Sequence, residues 1–191
     1  MAEANAHTSV ILHKTVVFVG MMGAGKTAVG RTLAAQLGVP FLDSDHEIET
    51  AADRSIAEIF ERDGEAFFRE KETQVISRLL DGTPCILSTG GGAFMQETNR
   101  KMISERGVSV WLDAPLDLLW SRVRHKDTRP LLRTADPYGT LRGIYDTRVP
   151  IYALADVTVP SEPGLSLEQM GQRVGQSLVE QRPDVLEESR K

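Results

Sequence analysis

Short apolar, β-branched runs alternate along the chain with longer stretches whose apolar positions return at helical spacing. The runs at 15–19 (TVVFV), 40–42 (PFL), 85–88 (CILS), 108–112 (VSVWL) and, more weakly, 156–159 (DVTV) predict strands. Helices are predicted at 26–37, 55–62, 65–80, 98–105, 115–124, 139–152 and 166–179, with Gly38 as the stop signal of the first. Strand runs separated by helical stretches predict an α/β fold around a parallel sheet. Residues 1–13 lack a pattern of either kind and are expected to form a loose leader. The tail, residues 181–191, is polar, interrupted by Pro183, and expected to fray. One domain over 14–180 is therefore expected, and no internal repeat points to a solenoid.

Composition narrows the function classes. With 22 Lys+Arg against 27 Asp+Glu the net charge is -5, so general attraction to nucleic acid or an anionic membrane is not expected. No window of the sequence reaches the 18 apolar residues of a membrane span, and the leader has no secretory pattern, so a cytoplasmic location is expected. One cysteine, Cys85, can form neither an internal disulfide nor a cysteine-based zinc site, and its place in a strand run makes it a small buried side chain. The four histidines show no metal-ligand spacing.

Directly after the first strand run, Gly20-Met21-Met22-Gly23-Ala24-Gly25-Lys26-Thr27 satisfies G-x-x-x-x-G-K-[ST], and a helix is predicted to follow. Backbone N–H groups can surround a phosphate only where no Cβ blocks the turn, and the helix aims its positive end at the anion. Lys26 is placed to reach the β- and γ-phosphates, and the Thr27 hydroxyl to ligate Mg²⁺.

The acceptor of the phosphoryl group must be read from other segments. Asp43 and Asp45 end the second strand run at a spacing of two, so both can project to one side. One could hold hydrated Mg²⁺ and the other could orient or deprotonate an acceptor hydroxyl. The ordinary alternative for such an aspartate is the N-cap of a helix starting near His46. The third strand run leads into Gly90-Gly91-Gly92, which allows a ligand close to the backbone.

These motifs continue in a recognisable order: Phe41-Leu42-Asp43-Ser44-Asp45, then Ile56-x-x-Ile59-Phe60-x-x-x-Gly64-Glu65-x-x-Phe68-Arg69-x-x-Glu72, the three glycines, Arg129-Pro130-Leu131-Leu132 and Arg148-x-Pro150-x-Tyr152. The series, over about residues 14–180, resembles the shikimate kinases. The resemblance implies a three-layer α/β/α P-loop kinase fold with a five-stranded parallel sheet and a lid near 123–136. It implies that Mg²⁺-dependent transfer from ATP phosphorylates the 3-hydroxyl of shikimate, and that the enzyme works as a monomer without nucleic acid or membrane. By the same resemblance Gly23, Ala24, Gly25, Lys26, Thr27 and Ala28 cradle the ATP phosphates, Arg122 stacks on adenine, and Thr27 and Asp43 hold Mg²⁺. Asp45, Arg69, Gly91, Gly92 and Arg148 would form the shikimate site, with Lys26, Asp45 and Arg129 catalytic.

Elementary chemistry agrees, because planar guanidinium groups such as Arg69 and Arg148 suit a carboxylate. Glu72, three residues beyond Arg69, is placed to hold that guanidinium. A gluconate kinase would share the phosphate loop but lack the two arginines in this arrangement, and a GTP switch would need an Asn-Lys-x-Asp motif, which the chain does not contain. No assignment is made for the adenine contacts around Pro160–Pro163.

Overall fold

The computed structural model describes residues 9–126 and 129–189. Residues 1–8 of the expected leader, Asp127 and Thr128 of the expected lid, and residues 190 and 191 of the expected tail lie outside the described residues.

Five parallel strands form the central sheet: β2 (Thr15–Val19), β3 (Phe41–Asp43), β4 (Ile86–Ser88), β5 (Gly107–Asp113) and β6 (Val157–Pro160), in the order β3-β4-β2-β5-β6. Each of the five predicted runs lies at one of these strands, to within a residue or two at the ends. Val16, Val17 and Phe18 of the middle strand are fully buried, as both faces of a parallel sheet require when helices cover them. The flanking helices are α1 (Lys26–Leu37), α2 (Ser44–Ala52), α3 (Ile56–Leu80), α4 (Glu97–Arg106), α5 (Leu116–Val123), α6 (Pro137–Tyr152) and α7 (Leu167–Gln181). α1 packs against α7 and β4, while α4 lies against β5 and α3. Gly38 closes α1 at φ 66°, where its N–H bonds back to the last turn, as its sequence position predicts.

The register places Asp43, Ser88 and Phe18 in one row across β3, β4 and β2. The phosphate loop, the acidic pair and the glycine turn therefore all leave the sheet at its carboxyl edge, the edge at which α/β sheets bind ligands.

Two expectations need correction. The segments expected as a loose leader and a fraying tail pair with each other: β1 (Ser9–Leu12) and β7 (Leu186–Ser189) form a separate antiparallel ribbon. Burial holds it, since Val185 and Leu186 are at most 1% exposed. Around them His13 N donates to Val185 O, and the surface pair Lys14–Asp184, 2.8 Å apart, adds little more. The other correction is helix α2, which periodicity does not predict and which the sequence offers only as the helix near His46 that an aspartate would cap. It begins at the residue after β3, with Asp43 as both last strand residue and N-cap. The helices predicted at 55–62 and 65–80 are both present as one run, broken at Gly64 (φ 83°, ψ 173°).

Candidate active site

The phosphate loop turns through three glycines with positive φ, Gly20 (141°), Gly23 (81°) and Gly25 (94°), the last being the N-cap of α1. A side chain at Gly23 is excluded twice, by that φ and by Val123 Cγ1, which a Cβ would approach to 2.7 Å. Lys26 Nζ donates to the carbonyls of Gly20 (2.8 Å) and Met21 (3.0 Å), holding the ammonium inside the loop it serves. Burial, followed by the positive charge of Arg129, brings its pKa down to about 8.

Thr27 Oγ1 donates to Asp43 Oδ2 (3.4 Å) and lies 3.3 Å from Ser88 Oγ, so three oxygen-bearing side chains meet where α1, β3 and β4 converge. Asp43 Oδ1 accepts from the N–H groups of Asp45 (3.0 Å) and His46 (3.3 Å). The capping of α2 thus falls to Asp43, and the alternative of Asp45 as the cap is set aside. Asp45 Oδ1 is buried without a hydrogen-bond partner among the described residues, and it faces Gly90, where a Cβ would sit 3.0 Å from it. Burial and the neighbouring Asp43 carboxylate push the Asp45 pKa up to about 6, against the opposing pull of Lys26.

The glycine turn is held at β2, where Thr89 Oγ1 donates to Phe18 O at 2.8 Å. A Cβ on Gly91 would lie 2.9 Å from Arg148 Nη1, and one on Gly92 would overlap the Arg69 guanidinium. Both predicted carboxylate-binding arginines therefore touch the turn. Arg69 is fixed in turn by Glu72, whose Oε1 accepts from Nη1 at 2.9 Å.

Gly23, Ala24, Gly25, Lys26, Thr27, Ala28, Asp43, Asp45, Gly91, Arg122 and Arg129 line one cleft of about 650 Å³. Arg69, Gly92 and Arg148 stand beside it at the glycine turn. Arg129 Nε is buried without a partner among the described residues. Arg122, expected to lie on adenine, also grips the phosphate loop: its Nη1 donates to Gly23 O (3.0 Å) and Ala24 O (3.3 Å).

Ser88, Ser161, Leu165, Leu167 and Met170 line the same cleft, and the sequence reading assigns none of them a role. Ser161 N donates to Asp113 O at 2.8 Å, which carries the chain past β6 into the cleft wall. Their signal is weak in sequence because ordinary apolar and small residues there acquire meaning only from the position of α7.

The comparisons agree with this geometry. The family model of shikimate kinases matches residues 22–179. A shikimate kinase of Ruegeria pomeroyi is 70% identical over 176 residues, covering 92% of this chain and 90% of that one. One from Cereibacter sphaeroides is 68% identical over 92% of this chain and 87% of its own length. Among solved structures, a shikimate kinase from Acinetobacter baumannii in complex with shikimate superposes with a TM-score of 0.82 at 39% identity, over 88% of this chain and 94% of that one. A phosphate loop, a half-buried aspartate that caps no helix and two arginines on one glycine turn, on a chain this similar to those enzymes, lead to one conclusion: it belongs to the shikimate kinase family.

Proposed function

We propose that this chain transfers the γ-phosphoryl group of ATP to the 3-hydroxyl of shikimate, giving shikimate 3-phosphate and ADP. The observation that carries the reading is the meeting, at one sheet edge, of a phosphate loop, a half-buried aspartate free of capping duty, and two guanidinium groups on the glycine turn.

Each group has a role that follows from its surroundings. The loop N–H groups and the α1 N-terminus receive the phosphates, and Lys26 neutralises charge between β and γ. Thr27 and Asp43, with Ser88 beside them, are hard oxygen donors suited to Mg²⁺, which holds few protein ligands and prefers water and phosphate oxygens for the rest. When bound, Mg²⁺ supplies charge neutralisation on the nucleotide phosphates. Arg69 and Arg148 take the shikimate carboxylate, which leaves the ring hydroxyls for Asp45. With a pKa of about 6, Asp45 is largely ionised at neutral pH yet basic enough to draw the hydroxyl proton as the new P–O bond forms. Arg129, whose Nε lacks a partner among the described residues, offsets charge on the transferring group, and Arg122 flanks the base.

All the residues named here belong to one chain, and the proposed assembly is a monomer. No helix among the described residues is long and apolar enough to cross a membrane, and the proposed setting is the cytoplasm.

The test is coupled ADP release from the purified protein with shikimate, quinate, gluconate or water as acceptor. Release should depend on shikimate. Comparable release with gluconate, or with water alone, overturns the reading.

A further inference from the structure

Tyr152 is the largest side chain buried to 0% exposure, and the catalytic scheme gives it no task. Its ring stacks on Trp111 of β5, with centroids 6.3 Å apart, while its hydroxyl donates to the carbonyl oxygen of Gly91. Burial raises the phenol pKa, so the hydroxyl keeps its proton and acts as a donor. Tyr152 lies one helical turn beyond Arg148 on α6, on the same face. The two side chains meet the same glycine: a Cβ on Gly91 would stand 2.9 Å from Arg148 Nη1 and 3.6 Å from the Tyr152 oxygen.

The peptide linking Gly91 to Gly92 is trans, so its carbonyl and its N–H point in opposite directions within one plane. A hydroxyl that holds the Gly91 carbonyl toward α6 therefore fixes the Gly92 N–H on the side away from α6. Within the turn, Ala93 N donates to Gly90 O at 3.2 Å and Met95 N to Gly92 O at 3.1 Å, while the Gly91 carbonyl receives no backbone donor among the described residues. Beyond Gly92 the chain is secured, since Asn99 Nδ2 donates to Ala93 O at 2.9 Å and Arg100 Nη1 to Phe94 O at 2.8 Å. Before Gly90 it is secured by Thr89 on Phe18. Between these anchors, the Tyr152 hydroxyl is the one side chain among the described residues that donates to a carbonyl of the turn.

We propose that Tyr152 is a positioning residue for shikimate: its hydroxyl sets the orientation of the Gly91–Gly92 peptide and keeps that turn in register with Arg148. The inference rests on the reading that Arg148 and the glycine turn hold shikimate. That reading fails by itself if Arg148→Ala leaves shikimate affinity unchanged.

The variant is Tyr152→Phe, which removes one oxygen and keeps the ring. Shikimate and ADP affinities are measured separately by calorimetry, and steady-state constants are taken well below the melting temperature. Losing one hydrogen bond to the turn should raise the Kd and KM for shikimate by about tenfold, with kcat and ADP affinity within about twofold. Trp111→Phe disturbs the same packing and leaves the hydroxyl in place, so it should lower the melting temperature with shikimate affinity retained. Unchanged shikimate affinity in Tyr152→Phe, equal loss for both ligands, or the same shikimate defect in Trp111→Phe would each overturn the proposal. If Tyr152→Phe does not fold, 4-fluorophenylalanine at position 152 fills the space of the hydroxyl without its proton: a loss of shikimate affinity of about tenfold supports the hydroxyl, and unchanged affinity overturns the proposal.

Discussion

Glu72 is completely buried, yet its Oε1 accepts a hydrogen bond from Arg69 Nη1 at 2.9 Å while its Oε2 has no partner among the described residues. A carboxylate in that position is costly, and burial duly pushes its pKa up despite the guanidinium beside it. What it provides is direction: Arg69 sits over the Phe68 ring, 5.2 Å from the centroid, and Glu72 turns its fork toward Gly92.

Glu72→Ala should therefore raise the shikimate KM by about tenfold or more, the value of one charge-assisted hydrogen bond, with the ATP KM little changed. Glu72→Gln, which can still accept from Arg69, should fall between. Steady-state kinetics with each substrate varied in turn checks this, and equal effects on both KM values would contradict it.

Gly92 allows a second approach to the same guanidinium. Its backbone, at φ -91° and ψ -12°, is open to any residue, so Gly92→Ala introduces no backbone strain. The added methyl would overlap Arg69 and force it aside. A shikimate KM raised several-fold with a melting temperature within a few degrees of the parent is expected; a large stability loss would show that the glycine is needed for the turn itself.

Leu186 tests the terminal ribbon. It is 1% exposed, and Leu186→Ala should cost about 2–4 kcal/mol, lowering the melting temperature by roughly 5–15 °C for a chain of this size. Both KM values should stay put, because the ribbon lies apart from the cleft-lining residues. Thermal unfolding and kinetics on the same sample separate the two.

That ribbon also shows where the sequence stops being legible. The central strands β2, β4 and β5 announce themselves because burial on both faces leaves continuous apolar runs such as Val16-Val17-Phe18-Val19, whereas β6 alternates buried and exposed positions and reads more weakly. β1 and β7 have four residues each and pair across more than 170 positions, as Leu12 with Leu186. β7 reads Leu-Glu-Glu-Ser, so local periodicity holds no sign of that partner. α2 was hidden for another reason, since Asp43 serves strand and cap at once and leaves no loop to mark the change of period. Among site residues, Lys26 and Thr27 carry a motif that states its own geometry. The grip of Arg122 on Gly23 and Ala24 spans almost 100 positions and exists only once α5 has packed against the phosphate loop.

Lys26→Ala should reduce kcat by about 10²–10³, the effect of losing one charge-stabilising donor in the transition state. The fold should survive, with a modest loss of stability because the Gly20 and Met21 carbonyls lose their donor. Activity near the parent level, with circular dichroism unchanged, would contradict the phosphate-loop role.

Asp45 carries the pH prediction. Its folded pKa, about 6, lies above the ordinary carboxylate value of 3.8, so the folded protein binds more protons than the unfolded chain between those values. Stability at this site therefore falls as pH rises through that window, and the charged form is carried at a cost above it. Asp45→Asn removes the cost and keeps the Asp43 cap, so it should be more stable than the parent by up to about 3 kcal/mol at pH 8, a gap that closes as the pH approaches 4. Catalysis should move the other way. If Asp45 must be ionised to accept the hydroxyl proton, kcat/KM for shikimate in the parent should fall below about pH 6. In Asp45→Asn that acid limb should vanish and turnover should drop by about 10² or more. Thermal unfolding and kcat/KM across pH 4 to 8, measured on both proteins, test the two halves together. A variant that gains no stability at pH 8 would show that Asp45 is not held above its ordinary pKa, and one that keeps both its turnover and its acid limb would place the catalytic carboxylate elsewhere.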